Sequence, residues 1–201
     1  MNEFPRCRRS TWADLEAWSD DLARQIRAAR AVPETLVALT RGGWVPARLL
    51  ADRLGIRRLL AVRAQHWGVT ARPDGQAELT EGLAHSVAGQ HVLVIDDIAD
   101  TGESLRLAVD HVRAAGPARL ESATCLCIAH AKFRPTYVAE EIPKEGWVWI
   151  VFPWNFWEDL KVLGGRAMAE AGNDPRRAVD LLEERSGLKV TVGELERALA
   201  P

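Results

Sequence analysis

Apolar residues recur at helical spacing near the start of the chain. Between Thr11 and Arg30 they stand three or four positions apart, at Leu15, Trp18, Leu22 and Ile26. This spacing lines one face of a helix, and Ser10 or Thr11 can cap its first turn. The pattern therefore predicts an amphipathic helix that packs on a larger body.

Short apolar runs alternate with helical segments further along the chain. Strands are predicted at residues 36–39, 58–62, 91–95, 119–128 and 147–152, and helices at residues 45–54 and about 102–115. Strands and helices that alternate at short spacing are typical of a parallel sheet. We therefore predict an α/β fold, a parallel twisted sheet with helices on both faces.

Residues 64–82 interrupt this alternation. They lack a sustained period, and Pro73-Asp74-Gly75 is a strong turn signal. We expect an excursion or a mobile hairpin there.

The character of the sequence changes after about residue 160. Gly164-Gly165 and Gly172-Asn173 predict breaks in the chain. The region carries no recognisable chemistry, so we assign it to packing or subunit contact. We predict a main domain at residues 1–160 and a helical C-terminal extension at residues 161–201.

End signals predict two helices in this extension. Asp174-Pro175 provides a cap followed by proline at the first helical position, and Gly187 ends that helix. Thr191 and Glu194 stand at the spacing of a capping box, which begins a final helix.

Composition excludes several classes of protein. The chain has 201 residues, 47% hydrophobic and 27% charged, and its net charge is −2. It therefore lacks an overall basic field that would recruit nucleic acid, and no stretch approaches the ~20 apolar residues of a membrane span. Cys125 and Cys127 lie in an apolar run, which indicates buried thiols. We expect a cytoplasmic protein without nucleic-acid or membrane partners.

Segment 92–104 carries the most informative chemistry. An aliphatic strand delivers Asp96 and Asp97 to the carboxyl edge of the sheet, where open α/β folds bind ligands. The glycine-containing turn 100–104 then begins a helix, and its N–H groups and hydroxyls can hold a phosphate. Carboxylates beside a phosphate suit ligand hydroxyls or hydrated Mg²⁺. A phosphorylated, polyhydroxylated substrate is predicted.

This segment closely resembles the phosphoribosyl pyrophosphate-binding motif of type I phosphoribosyltransferases. The shared pattern is a hydrophobic run, Asp96-Asp97, three residues ending in Asp100, then Thr-Gly and a small hydroxyl residue. The resemblance implies that Asp96 and Asp97 face the ribose hydroxyls and Mg²⁺, and that Asp100 lies near the base as proton acceptor. It also implies a loop for the 5′-phosphate, formed by Thr101, Gly102, Glu103 and Ser104.

Two other interpretations of the segment are open. In the first, Asp100 or Thr101 merely caps the helix, Glu103 complements the helix dipole, and the aspartates are solvated. In the second, the acidic pair belongs to a phospho-acceptor receiver domain. Such a domain carries its pair near its start, whereas here the pair follows residue 95 and precedes Thr-Gly.

Two segments earlier in the chain resemble further motifs of the same family, and they occur in the expected order. Arg41-Gly42-Gly43 resembles its pyrophosphate loop, in which glycine lets backbone amides approach the anion, although such residues also form ordinary turns. The segment beginning at Gln65 corresponds to the family's flexible loop, which closes over the reaction centre. His66 and Trp67 there can serve either the ligand or hinge packing.

Phe152-Pro153-Trp154-Asn155 resembles the small hood of 6-oxopurine enzymes, especially bacterial xanthine-guanine phosphoribosyltransferases and their archaeal relatives. The resemblance implies that Trp154 stacks on the base and that Asn155 lies near its edge. The alternative is an aromatic core cluster. That alternative is strongest for Trp147 and Trp149, and it is open for Trp154.

One departure from the family concerns the base. The family places a lysine at the end of the strand before the hood, where it donates to O6, but this chain has Ile128. Lys132, or else His130, can replace that donor from the following loop. Asn155 also stands where an acidic residue is common, which leaves the base open.

The resemblance implies a Mg²⁺-dependent phosphoribosyltransferase of purine salvage that uses hypoxanthine, guanine or xanthine. Another base is the enzymatic alternative. From a different class, the alternative is a regulator that only binds phosphoribosyl pyrophosphate or a nucleotide, for which the mixed charges of residues 161–201 supply no basic surface. We expect a homo-oligomer whose partners are small-molecule substrates.

Overall fold

The computed structural model describes residues 4–66 and 77–200. The turn predicted at Pro73-Asp74-Gly75 lies outside these residues. None of the described helices combines the length and apolar character that a bilayer crossing needs. The elements are β1 (Cys7–Arg9), α1 (Trp12–Ala28), β2 (Thr35–Thr40), α2 (Trp44–Leu54), β3 (Arg58–His66), β4 (Ala77–Glu81), β5 (His91–Ala99), α3 (Glu103–Ala114), β6 (Arg119–Ile128), β7 (Tyr137–Ile142), β8 (Trp149–Val151), α4 (Phe156–Glu170), α5 (Pro175–Ser186) and α6 (Val192–Leu199).

The chain divides into two compact units. The sheet unit contains the described residues from Ala13 to Trp147, and the helical unit contains those up to Trp12 together with those from Val148 onward. The domain boundary predicted at residue 160 stays a prediction.

Six strands form the sheet within the described part of the sheet unit. Their order is β4-β3-β2-β5-β6-β7, and all neighbours are parallel except β3 and β4. The step from β2 to β3 and the step from β5 to β6 run in opposite directions across the sheet. Right-handed crossovers therefore put α2 and α3 on opposite faces. The predicted α/β fold with a mostly parallel sheet is confirmed.

Alternation along the central strands divides the core between the two faces. Four valine and leucine side chains pack with α3: Val37, Leu39, Val92 and Val94. Their neighbours are equally buried: Leu36, Ala38, Leu93 and Ile95. By the two-residue period of a strand these neighbours face the other way. Burial on both faces explains why the apolar runs of these strands are uninterrupted. The predicted burial of Cys125 and Cys127 is also confirmed.

The central strand β5 is longer than the sequence predicts. It continues to Ala99, so Asp96 and Asp97 lie inside the strand and not after it. Its backbone keeps pairing with β6 there, at Asp96 with Thr124 and at Ala99 with Cys127. Backbone pairing thus carries the strand past its polar side chains, which a pattern of apolar residues cannot reveal.

The helical unit contains α4, α5, α6 and a two-stranded parallel sheet of β1 and β8. The strand predicted at residues 147–152 is present as the shorter β8, whose partner is β1. Asp174 caps α5, Gly187 ends that helix with φ 75°, and Thr191 and Glu194 form the predicted capping box.

The two glycine-containing pairs of this unit differ in role. The break predicted at Gly164-Gly165 is wrong, because both residues lie inside α4. A Cβ at Gly164 would overlap Leu195 of α6, so close packing of two helices explains this glycine. The break at Gly172-Asn173 is confirmed, since both residues have positive φ, 67° and 66°.

Candidate active site

The strand order of the sheet reverses between β2 and β5. In open α/β sheets, ligands bind beside the carboxyl ends of the strands at such a reversal. Residues 41–43 follow β2 and residues 100–104 follow β5, so the two predicted loops meet at this point. Asp96 and Asp97 stand at the same end of β5.

Two glycines bring the first loop against β5. A side chain at Gly42 would overlap the carboxylate of Asp97, and one at Gly43 would overlap the carbonyl oxygen of Ile95. Only glycine permits this approach. The peptide bond from Thr40 to Arg41 is cis. Helix α2 begins directly after the loop, and a helix N-terminus favours an anion.

The two adjacent carboxylates are oriented by the backbone of their own strand. Asp97 N–H donates to Asp96 Oδ1 at 2.9 Å, and Ile98 N–H donates to Asp97 Oδ1 at 2.8 Å. Burial, followed by the negative charge of Asp97, raises the pKa of Asp96 well above its ordinary value. A bound cation would offset this repulsion.

A pair of carboxylates is a sufficient protein contribution to a Mg²⁺ site. The described residues contain no cluster of three or more His, Cys, Asp or Glu side chains arranged around one point. Mg²⁺ prefers oxygen ligands and usually keeps water and substrate oxygens in its shell. Asp96 and Asp97 therefore fit the ion.

The predicted phosphate loop is fixed to the loop that follows β6. Gly102 has φ 78°, and a side chain there would overlap the carbonyl oxygen of Phe133. Lys132 N–H donates to the carbonyl oxygen of Thr101 at 2.9 Å. The positive φ and the approach of Phe133 require glycine at position 102. Together with the hydrogen bond from Lys132 they give the predicted phosphate loop a defined backbone.

The helix-cap interpretation explains part of this loop. Thr101 Oγ1 accepts a hydrogen bond from Glu103 N–H at 3.3 Å. The N-cap of α3 is Gly102 and not Asp100, and glycine has no side chain to cap the helix. Capping therefore does not explain Asp100.

Asp100 faces His130 across the ends of β5 and β6. His130 Nε2 lies 2.9 Å from Asp100 Oδ1, a close contact between two polar atoms. The sequence gives no signal for this pair, because the two residues become neighbours only when β5 and β6 lie side by side. The loop after β6 thus supplies a partner for the predicted proton acceptor.

Position 128, where the family has its lysine, lies in an apolar environment in the structure. Ile128 is fully buried at the end of β6. Lys132 is exposed on the loop that follows. A donor to the base from Lys132 or His130 stays a prediction.

Trp154 and Asn155 lie in the helical unit, where Trp154 is partly exposed. The ring of Trp154 stacks on buried Phe152, with centroids 4.8 Å apart and an interplanar angle of 7°. Asn155 N–H donates to the Phe152 carbonyl oxygen at 3.0 Å and precedes α4. The stack fixes the orientation of the Trp154 ring, as a base platform requires.

Trp12 is a residue that the sequence analysis missed. Its ring lies 6.4 Å from that of Trp154 at an angle of 58°, and 58% of Trp12 is exposed. Trp12 is the first residue of α1, three positions before Leu15. A large aromatic residue at such a position was the available signal. The predicted roles of His66 and Trp67 fall outside what the structure describes and stay predictions.

Comparison with known families decides the class of protein. The model of the phosphoribosyl transferase domain matches residues 11–159. The chain belongs to this family. The predicted family is therefore confirmed, a transferase is supported, and the receiver-domain interpretation is wrong. The match ends at α4, so most of the helical unit lies beyond it.

Solved structures of this phosphoribosyltransferase fold resemble the chain over most of its length. A purine phosphoribosyltransferase from Pyrococcus horikoshii has 23% identity and a TM-score of 0.63, covering 77% of this chain and 94% of its own. A xanthine-guanine-hypoxanthine phosphoribosyltransferase from Helicobacter pylori has 23% identity and a TM-score of 0.62, covering 78% and 99%. A hypothetical protein from Neisseria gonorrhoeae with bound ppGpp has 21% identity and a TM-score of 0.63, covering 84% and 98%. At these identities the likeness establishes the fold.

Proposed function

We propose that this chain transfers the phosphoribosyl group of phosphoribosyl pyrophosphate to a purine base and releases pyrophosphate. The observation that carries the proposal is the meeting of two glycine-dependent loops at the strand reversal, beside Asp96 and Asp97. Each loop begins a helix and suits an anion. A donor with phosphate at one end and pyrophosphate at the other matches two such loops.

The two loops take different ends of the donor. Residues 101–104 bind the 5′-phosphate and residues 41–43 the pyrophosphate. Asp96 and Asp97 bind the ribose hydroxyls and hold Mg²⁺. When bound, Mg²⁺ supplies positive charge that offsets the charge developing on the departing pyrophosphate.

The transfer needs no covalent nucleophile from the protein. A ring nitrogen of the base forms a bond to ribose C1 as the bond from C1 to the pyrophosphate oxygen breaks, and that electron pair leaves with pyrophosphate. The ribose passes through an oxocarbenium-like transition state. A proton on the other ring nitrogen moves to Asp100, while the chain contributes alignment and electrostatic stabilisation.

We infer a 6-oxopurine as the acceptor. Lys132, on the loop after β6, is the first candidate for a donor to O6. Two of the solved relatives are a purine and a xanthine-guanine-hypoxanthine phosphoribosyltransferase, which supports this class of base.

The test is a panel of hypoxanthine, guanine, xanthine, adenine and uracil, each supplied with phosphoribosyl pyrophosphate and Mg²⁺. Pyrophosphate release is measured, with a reaction lacking base as the control. We expect the fastest release with one of the three 6-oxopurines. Release with adenine or uracil alone would contradict the oxopurine assignment, and release with no base of the panel would contradict the purine transfer.

A nucleotide-sensing regulator is the second candidate. The observation in its favour is the similarity to the Neisseria gonorrhoeae protein with bound ppGpp, which extends over 84% of this chain. Tight binding of ppGpp, without turnover of any base in the panel, would identify a sensor.

A further inference from the structure

The contact between His130 and Asp100 joins the ends of two neighbouring strands. Asp100 directly follows β5, and His130 stands in the loop after β6. The two strands remain paired up to Ala99 and Cys127. Nε2 of His130 therefore reaches Oδ1 of Asp100, 2.9 Å away, from the adjacent strand end.

The backbone holds the loop that carries His130 on both sides. Ala129 N–H donates to the carbonyl oxygen of Ile142 at 2.8 Å, and Ala131 N–H donates to that of Ile128 at 2.9 Å. On the other side, Lys132 N–H donates to the carbonyl oxygen of Thr101 at 2.9 Å. The position of His130 relative to Asp100 is thus defined by the sheet and not by a long side chain.

The two carboxylate oxygens of Asp100 differ in surroundings. Oδ1 is closed to solvent and receives no aligned hydrogen bond within the described residues, so His130 Nε2 is the polar atom the structure brings to it. The Asp100 side chain nevertheless keeps 40% of its surface exposed, on its other atoms. A carboxylate only accepts hydrogen bonds, so a favourable contact requires that Nε2 of His130 carry the hydrogen.

We propose that His130 is a positioning residue for Asp100, an inference that rests on the proposed transfer. His130 engages Oδ1 and turns Oδ2 toward the base, where Oδ2 accepts the proton released by the base ring nitrogen. A neighbouring donor that orients a general base affects kcat, although the donor itself does not bind the substrate. His130 is then not the donor to O6, which leaves that role to Lys132.

The kinetic test compares His130→Phe with His130→Gln. Phenylalanine keeps a ring but no donor, whereas the glutamine side chain can place an N–H near the position of Nε2. We expect His130→Phe to lower kcat about tenfold, with the KM values of base and phosphoribosyl pyrophosphate within twofold of wild type, and His130→Gln to recover most of kcat. His85→Phe, at an exposed histidine outside the site, is the matched control.

Two kinetic outcomes would overturn the assignment. In one, His130→Phe raises the KM for the base and leaves kcat unchanged, which would make His130 a base ligand. In the other, His130→Phe lowers kcat equally in wild type and in Asp100→Asn. We expect instead that the double variant is no slower than Asp100→Asn alone, because the carboxylate that His130 positions is already absent there.

A spectroscopic measurement separates this inference from the proposed function. The ¹⁵N shifts of the His130 imidazole report which nitrogen carries the hydrogen, and they need no turnover. We expect Nε2–H in the wild type and a changed Nε2 shift in Asp100→Asn. An unchanged shift would overturn the pair even if transfer occurs. The expected shift without turnover of any base would contradict the proposed function but not the contact.

Discussion

The two ends of the sheet differ in how their buried carboxylates are surrounded. At the amino end, Glu121 accepts hydrogen bonds from His91 Nε2 at 2.8 Å, Tyr137 OH at 2.9 Å and an Arg119 guanidinium N–H at 2.9 Å. At the carboxyl end, Asp96 and Asp97 are adjacent like charges oriented by their own backbone.

The pKa values of the two ends follow this difference. Burial opposes ionisation of Glu121, but hydrogen bonds from His91, Tyr137 and Arg119 outweigh burial and lower its pKa. Burial and the charge of Asp97 raise the pKa of Asp96. The amino end is therefore arranged for stability, whereas the carboxyl end carries repulsion that a ligand or cation would relieve.

The largest effect is expected from Asp96→Asn combined with Asp97→Asn. Each asparagine keeps an Oδ1 acceptor but removes a charge, so we expect detectable binding of phosphoribosyl pyrophosphate to vanish while Tm at pH 7 stays equal or rises. Calorimetry measures the binding. Asp110→Asn, on exposed α3 surface, is the matched control. Wild-type affinity in the double variant would contradict the site.

Asp100→Asn is expected to act on the chemical step. The amide cannot accept the proton from the base, so kcat should fall about 10²-fold or more with little change in binding of phosphoribosyl pyrophosphate. Initial rates and calorimetry separate the two quantities. If kcat held and only the affinity for phosphoribosyl pyrophosphate fell, Asp100 would belong to the phosphate loop.

Glu121→Ala tests the amino end. It leaves three polar partners without their acceptor and should lower the free energy of unfolding by about 2–3 kcal/mol, with kcat unchanged. Denaturant unfolding measures this loss. Glu141→Ala, which breaks an exposed pair with Arg134, should lower the free energy of unfolding much less. Equal losses in the two variants would contradict a special role for Glu121.

The stabilising effect of Glu121 should depend on pH. Because its folded pKa is lowered, its contribution is present above the unfolded value of about 4.3 and is lost as pH falls through the folded value. The stability difference between wild type and Glu121→Ala should therefore be full at pH 7 and shrink below about pH 4. A difference that grows in acid would contradict this sign.

Lys132→Met should have the smallest effect. A lost donor to O6 should raise the KM for hypoxanthine and guanine roughly tenfold, about 1.4 kcal/mol, and leave the KM for phosphoribosyl pyrophosphate unchanged. Lys144→Met, at an exposed lysine outside this loop, is the control. Wild-type KM values in Lys132→Met would make Lys132 a solvated loop residue.

The sequence predicts most of the sheet and the position of the two glycine-containing loops because their signals are local. Aliphatic runs mark buried strands, and Gly42 and Gly102 mark loops that a side chain would block. The edge strand β7 was not predicted because its apolar and polar residues do not alternate with a clear period. The contact of His130 with Asp100 was not predicted because it depends on the order of the strands in the sheet, which the spacing of residues along the chain does not show.

The most direct test of the proposed transfer is ³¹P NMR of one sample that contains the wild-type chain, phosphoribosyl pyrophosphate, Mg²⁺ and guanine or hypoxanthine. We expect the donor signals to be replaced by equal amounts of free pyrophosphate and a nucleoside monophosphate. We expect no change without base and slow conversion with Asp100→Asn. A donor that persists with both bases, or pyrophosphate formed at the same rate without base, would contradict the proposed transfer.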